Sequence, residues 1–490
     1  MNSRVKKPAA VITLLLLASA AQAQRVNLNS SAFHGLDLAG IRAMKADIPA
    51  PVSDVETAGP RVTLLLGADE SNRRDPVWPG YDVFGQPVLL YEAGVRSFLI
   101  AHPNPPAGYE PVFSSPRAVF VKQGPVPNLN FTFSFHFPVN GADSFAYRYR
   151  PDGRPEQDIR TVVHERFHVF QQTGFKPGRY GERASEPDGE DLAMAALEQK
   201  VLKSALAAGS PEAAARYLGQ FVAARETRYA RFPDARHQET YEERSEGTAR
   251  YVEYGLMLRE GLAPQPGGPA ALFSAHLNWF PDVDAMEKSR YYATGAAQGL
   301  LLDRAGRGDW KARVAAGSAP YDVTSQAFAP RDAAAALADA KREHGYDALL
   351  GTGLQTAAAF QTAKAAAIAA YEAQPGIEWS APTANDMGYS AASPSYKLNG
   401  SDTLMPKMYM IDARTDGYSL NVTDRPAVLG DGAVRFHASA ALTLNGQPFQ
   451  PADGVYRFES LTLTEAGLDL SVSRPGTLTI AGGKAEISLR

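Results

Sequence analysis

The chain has 490 residues, 44% apolar and 21% charged, with a formal net charge of −4. That length suggests roughly two to four domains, and the apolar share excludes global disorder. The charge balance argues against nucleic-acid binding driven by a basic surface, and the absence of cysteine excludes disulfides, thiolate metal sites and iron–sulfur clusters. Any metal must rest on His, Asp or Glu.

Arg4, Lys6 and Lys7 precede an apolar run from Val11 to Ala18, and Ala21-Gln22-Ala23 has the small-x-small pattern of a cleavage site. Residues 1–23 therefore read as a secretory signal peptide, and the mature protein as periplasmic or secreted. No later stretch is long and charge-free enough for a membrane span, so none is expected in the mature chain.

Residues 24–150 read as β-rich. Arg61 to Leu66, Val88 to Tyr91 and Ser97 to Ile100 are short apolar runs bounded by turn residues. From Asn128 to Phe137, Leu129, Phe131, Phe133, Phe135 and Phe137 alternate with polar residues, the pattern of a half-buried strand. The period turns helical after Glu156. Ser210-Pro211 looks like an N-cap followed by proline at the first helical position. Helices are expected over Glu212–Tyr229, Thr240–Leu258, Lys288–Arg304, 331–343 and 352–373. Residues 151–375 thus form a mainly helical domain. Turn pairs such as Asn445-Gly446 and Gly482-Gly483 punctuate residues 383–490, which read as an all-β, sandwich-like domain. The fold class expected is α+β.

His164-Glu165-Arg166-Phe167-His168 is an H-E-x-x-H pattern. On a helix, His164 and His168 lie one turn apart on one face and can chelate one zinc ion. Glu165 leaves the helix about 100° away, where it can serve as general base rather than ligand. A third ligand is required. The pattern H-E-x-x-H-x-x-G-x-x-H does not supply it, because Gln171 and Gly174 stand at its last two positions.

Further along, Ser245-Glu-Gly-Thr-Ala-Arg-Tyr-Val-Glu-Tyr254 resembles the N-E-G-F-A-x-Y-x-E helix of the gluzincin aminopeptidases, and Tyr292-Ala-Thr-Gly-Ala296 is similar to their Y-x-K-G-A segment. The resemblance implies a zincin-like catalytic domain with Glu246 as third zinc ligand and Tyr292 as donor to the oxyanion, Tyr291 being the alternative. The family's G-x-M-E-N segment is missing, so the resemblance does not extend to aminopeptidase specificity. Glu242-Glu-Arg-Ser-Glu246 also fits the E-x-x-S-D pattern of thermolysin-like gluzincins, a register in which Glu242 binds zinc and Glu246 supports a histidine. Glu239, Glu243 and Glu253 read as solvated helix charge, with Glu243 an alternative support for a ligand. His237 is a weaker candidate ligand.

These readings imply an exported zinc metallopeptidase acting on a peptide or protein substrate, with the strand at 128–137 or a neighbour docking the substrate. A zinc hydrolase of another amide, ester or cell-wall substrate, or an inactive binding protein retaining a zinc site, are the alternatives.

Overall fold

The computed structural model describes residues 52–489 apart from 127–128, 130–131, 179–180, 182, 184, 263–267, 278–282, 284–285, 287–288, 384–387, 392–393, 400–401 and 431. The signal-peptide segment, residues 1–23, lies outside the described residues. The architecture is α+β: an N-terminal sheet, a central helical region and a C-terminal β region. Contacts divide it into two units. One holds described residues 52–280 and 290–353, so the first sheet and the helices form a single body; the other holds 281–289 and 354–489.

The first element corrects an expectation. Arg61 to Leu66, expected as a strand, belongs to a helix, α1 (Val52–Arg74), kinked at Gly59. Pro60 begins its regular part, and Asp69–Arg73 and Glu70–Arg74 pair one turn apart. The whole run Leu64-Leu65-Leu66 is buried, which a helix packed on several sides allows.

A six-stranded sheet follows, made of β1 (Val88–Glu92), β2 (Arg96–Ile100), β3 (Glu110–Phe113), β4 (Val119–Gln123), β5 (Phe133–Val139) and β6 (Ala142–Arg148). Its order is β3-β4-β2-β1-β6-β5, with β1 and β6 parallel and the other pairs antiparallel. The Phe-rich strand expected over 128–137 is β5. The strand runs from Phe133 to Val139 and forms one edge of the sheet.

Helix α2 (Pro155–Gly174) has Pro155 at its start and Glu156 and Asp158 in its first turn. Asp158, Arg166 and Phe167 anchor it to its surroundings, the first two reaching the sheet. Asp158 accepts from Tyr147 of β6 at 2.9 Å and from Arg61 of α1. Arg166 donates to Val83 O at 3.2 Å and to Gln86, whose amide reaches Phe135 O of β5 at 3.0 Å. Behind the helix, Phe167 packs edge-on to Trp78 and Tyr81, with centroids 5.3 and 5.2 Å apart.

The remaining helices of this unit are α3 (Gly189–Ala207), α4 (Pro211–Arg231), α5 (Pro233–Glu242), α6 (Thr248–Arg259), α7 (Gly268–Ser274), α8 (Arg290–Arg304), α9 (Trp310–Ala315), α10 (Pro320–Phe328) and α11 (Ala333–Glu343); α12 (Tyr346–Glu372) crosses the division. Ser210 caps α4 as expected, its hydroxyl accepting from Ala213 N at 3.2 Å. The helix expected over Thr240–Leu258 is α5 and α6 joined through a five-residue π-helical turn, Glu243–Gly247. No described helix is long and apolar enough to cross a membrane.

The C-terminal unit is a fourteen-stranded sheet. Strands such as Tyr418–Val422 and Ala433–Ala438 alternate buried and half-buried residues. The turns at Asn445-Gly446 and Gly482-Gly483 take the positive φ their sequences require. Its layering comes from one ladder that curls, because Leu442 and Leu463 near one end share a core with Leu478 and Ile487 near the other.

Candidate metal centre

Three side chains from two distant segments converge. His164 and His168 stand on one face of α2, and Glu246 projects from the π-helical turn. Glu246 Oε2 lies 3.1 Å from His164 Nε2 and 3.1 Å from His168 Nε2, and the two ring nitrogens are 3.2 Å apart. All three residues are buried. With metal–ligand bonds of about 2.0–2.1 Å, a tetrahedral zinc shell needs ligand atoms about 3.3 Å apart. The triangle is close to that, and two imidazoles with one carboxylate form a donor set suited to zinc. Glu242 is outside this group. It is buried one turn earlier, and burial followed by the nearby Glu246 charge pushes its carboxyl up to about 8. His237 is also outside it.

The surroundings hold these three side chains in place. His168 Nδ1 is 2.8 Å from Gln171 Oε1, and the Gln171 amide donates to Ser245 O at 2.9 Å and Thr248 Oγ1 at 2.8 Å. One glutamine therefore orients a histidine and clamps α2 to the turn carrying Glu246. Behind His164, Nδ1 lies 3.2 Å from Glu253 Oε2, within ion-pair reach though off the line of a good hydrogen bond. Glu253 is shared with Arg160 at 2.8 Å and Arg250 at 3.2 Å. Such outer partners commonly set ligand orientation and basicity.

Burial alone would lower both histidines, but neighbouring carboxylates reverse this. Glu246 and Glu253 raise His164, and Glu246 pushes His168 up to about 9. Burial would raise Glu246 itself, yet the two imidazoles hold it well below the usual carboxylate range. The cluster thus favours positive charge at the point where the three side chains meet.

Glu165 and Tyr292 stand beside this group with buried oxygens that lack a hydrogen-bond partner, Oε2 and Oη respectively. Burial, reinforced by Glu246 and Glu253, pushes the Glu165 carboxyl up to about 7 against the opposing pull of the histidines. The Tyr292 ring lies nearly parallel to His164, with centroids 5.6 Å apart and planes 17° from parallel. Burial and the charges of Glu246, Glu242 and Glu165 raise its hydroxyl far above the ordinary tyrosine value, so it stays protonated. Tyr291, also buried, lies under the Arg290 guanidinium at 4.7 Å.

The small residues of both motifs explain the approach. A Cβ on Gly247 would stand 2.6 Å from Gly295 Cα, so only two glycines allow the Glu246 turn and α8 to meet this closely.

Sequence reasoning missed three features. Glu239, Glu243 and Glu253, read as solvated, are all buried, because Arg residues on facing helices neutralise them. Gln171 was visible only as a departure from a longer motif. The π-helical turn has no sequence signature at all. Scanned against protein-family models, curated proteins and solved structures, the chain matches none.

Proposed function

We propose that this chain is an exported zinc metallopeptidase, with His164, His168 and Glu246 as metal ligands. The observation that carries the reading is the triangle of ligand atoms 3.1–3.2 Å apart, flanked by two buried, unpaired oxygens on Glu165 and Tyr292. Zinc held by these three side chains would supply Lewis acidity to a scissile carbonyl and an attacking water. Glu165, whose buried Oε2 has no hydrogen-bond partner, would take the proton from the attacking water and hand it to the leaving amine. Tyr292, held neutral, donates to the oxygen that becomes negative as the carbonyl carbon turns tetrahedral. Strand β5 is one of the two edge strands of its sheet, and its Phe135 is linked to α2 through Gln86 and Arg166. An extended peptide added along that edge would run beside the zinc helix. Export rests on the signal-like pattern of residues 1–23.

The test is hydrolysis of a peptide library by the mature protein, abolished by a chelator and restored by zinc. Glu165→Gln should keep the metal and lose turnover. A wild type that holds zinc but cleaves no peptide would overturn the reading, and cleavage of an ester or cell-wall fragment instead would redirect it.

A further inference from the structure

The helices around the site enclose a network of eight charges. Arg183, Arg225, Arg228 and Arg290 face Asp191, Glu198, Glu239 and Glu243, and none is more than 3% exposed. Four positive and four negative charges balance. Arg225 donates to Glu198 at 2.8 Å and to Glu243 at 2.7 Å. Arg228 reaches Glu198 at 2.5 Å, Asp191 at 3.0 Å and Glu239 at 2.8 Å. Buried ion pairs add little net stability over well-packed apolar residues, because desolvation offsets the attraction. What they do supply is direction: each pair holds two backbones at one geometry.

Glu243 is where this network meets the metal centre. It is the first residue of the π-helical turn, and Glu246 is the fourth. Such a turn departs from the i→i−4 ladder, so its own backbone bonds do not fix it as they fix an α-helix. Beyond Arg225, the Glu243 carboxylate accepts from Thr294 Oγ1 at 2.6 Å and Gln298 Nε2 at 2.9 Å. Both donors belong to α8, and Thr294 is two residues past Tyr292. One carboxylate therefore ties the turn that presents Glu246 to the helix that presents Tyr292, at the point where Gly247 and Gly295 leave no spare room.

We propose that Glu243, backed by Arg225 and bonded to Thr294, is a positioning residue that sets Glu246 for metal binding and holds Tyr292 against it. The proposal rests on the metal-site reading above and adds to it a part of the chain that touches neither metal nor substrate.

The test compares Thr294→Val, Thr294→Ser and Glu243→Gln with the wild type. The readouts are zinc dissociation constant by chelator competition, the visible spectrum after cobalt substitution, and Tm. Thr294→Val removes one donor without leaving a bare charge and should weaken zinc on the order of tenfold, with a shifted cobalt spectrum. Thr294→Ser keeps the donor and should behave as wild type. Glu243→Gln should cost about 10–100-fold in affinity. A purely structural role predicts lower Tm with unchanged zinc affinity and cobalt spectrum; that result in Thr294→Val overturns the proposal, even if Glu243→Gln fails to fold. A wild type that binds zinc but cleaves no peptide defeats the peptidase reading and leaves this comparison intact. A wild type that binds no zinc defeats both.

Discussion

Gly295→Ala tests the close approach on which the site depends. A Cβ at this position would stand 2.7 Å from Gly247 Cα and 2.8 Å from Glu243 O. Both are backbone atoms on the opposing turn, so no rotamer change relieves the clash. Ordinary contact begins near 3.4 Å, so α8 must move away by roughly 0.7 Å. Overpacking of this kind costs about 1–3 kcal/mol. Alanine returns about 1 kcal/mol through its better helix propensity. The net loss of up to about 2 kcal/mol lowers Tm by no more than about 8 °C. Function should suffer more, because Tyr292 is on the displaced helix and Glu246 adjoins the opposing glycine. A misplacement approaching 1 Å can cost about 10²-fold in rate. Measured on any peptide the wild type cleaves, kcat/KM should fall about 10–100-fold in a protein that remains folded. Gly351→Ala is the control: it lies in α12 with nothing within 4 Å of the added Cβ, and should leave activity unchanged. Wild-type kcat/KM and Tm in Gly295→Ala would show that the two segments do not need this distance.

His168→Ala should lose zinc and activity together, read by metal analysis of the purified protein. Glu246→Gln should weaken zinc sharply and Glu242→Gln should not; the reverse would move the third ligand one turn back. Glu165→Gln should retain zinc and lose about 10²–10⁴-fold in kcat or more, and Tyr292→Phe about 10²–10³-fold, also mainly in kcat. If Tyr291→Phe is impaired while Tyr292→Phe is normal, the oxyanion donor is Tyr291. Acid stability offers a separate check. Burial would raise Glu239, but Arg228 and Arg290 hold it well below its ordinary 4.5. A group depressed in the folded state contributes stability that is present above 4.5 and lost as pH falls below it. Glu239→Gln should therefore flatten the loss of stability below pH 4.5 in urea unfolding. At neutral pH it should cost about 3–5 kcal/mol, because it breaks a buried ion pair and leaves the network one negative charge short. An unchanged slope in acid would show that Glu239 is not held ionised by this network.

Local pattern carried much of the architecture. The helical stretches, the Ser210 cap, the Asn-Gly and Gly-Gly turns and the His164–His168 pair all depend on residues within one turn of each other, where periodicity and φ preference act directly. Leu64-Leu65-Leu66 misled for the same reason. A short apolar run does not distinguish a buried strand from a buried helix, and packing on several sides made it a helix. Glu246 is 78 residues from His168, and motif resemblance alone left Glu242 open as its rival. Only the π-helical turn, which shifts the register of the helix, brings one carboxylate rather than the other onto the two imidazoles. The fate of Glu239, Glu243 and Glu253 was likewise beyond local reach. Whether a carboxylate is solvated or buried depends on which arginine the tertiary fold sets against it, and those partners lie up to 93 residues away. Helix periodicity placed the two imidazoles on one face. The carboxylate that joins them, the glutamine that clamps its turn and the charges that hold it became defined only once the helices packed.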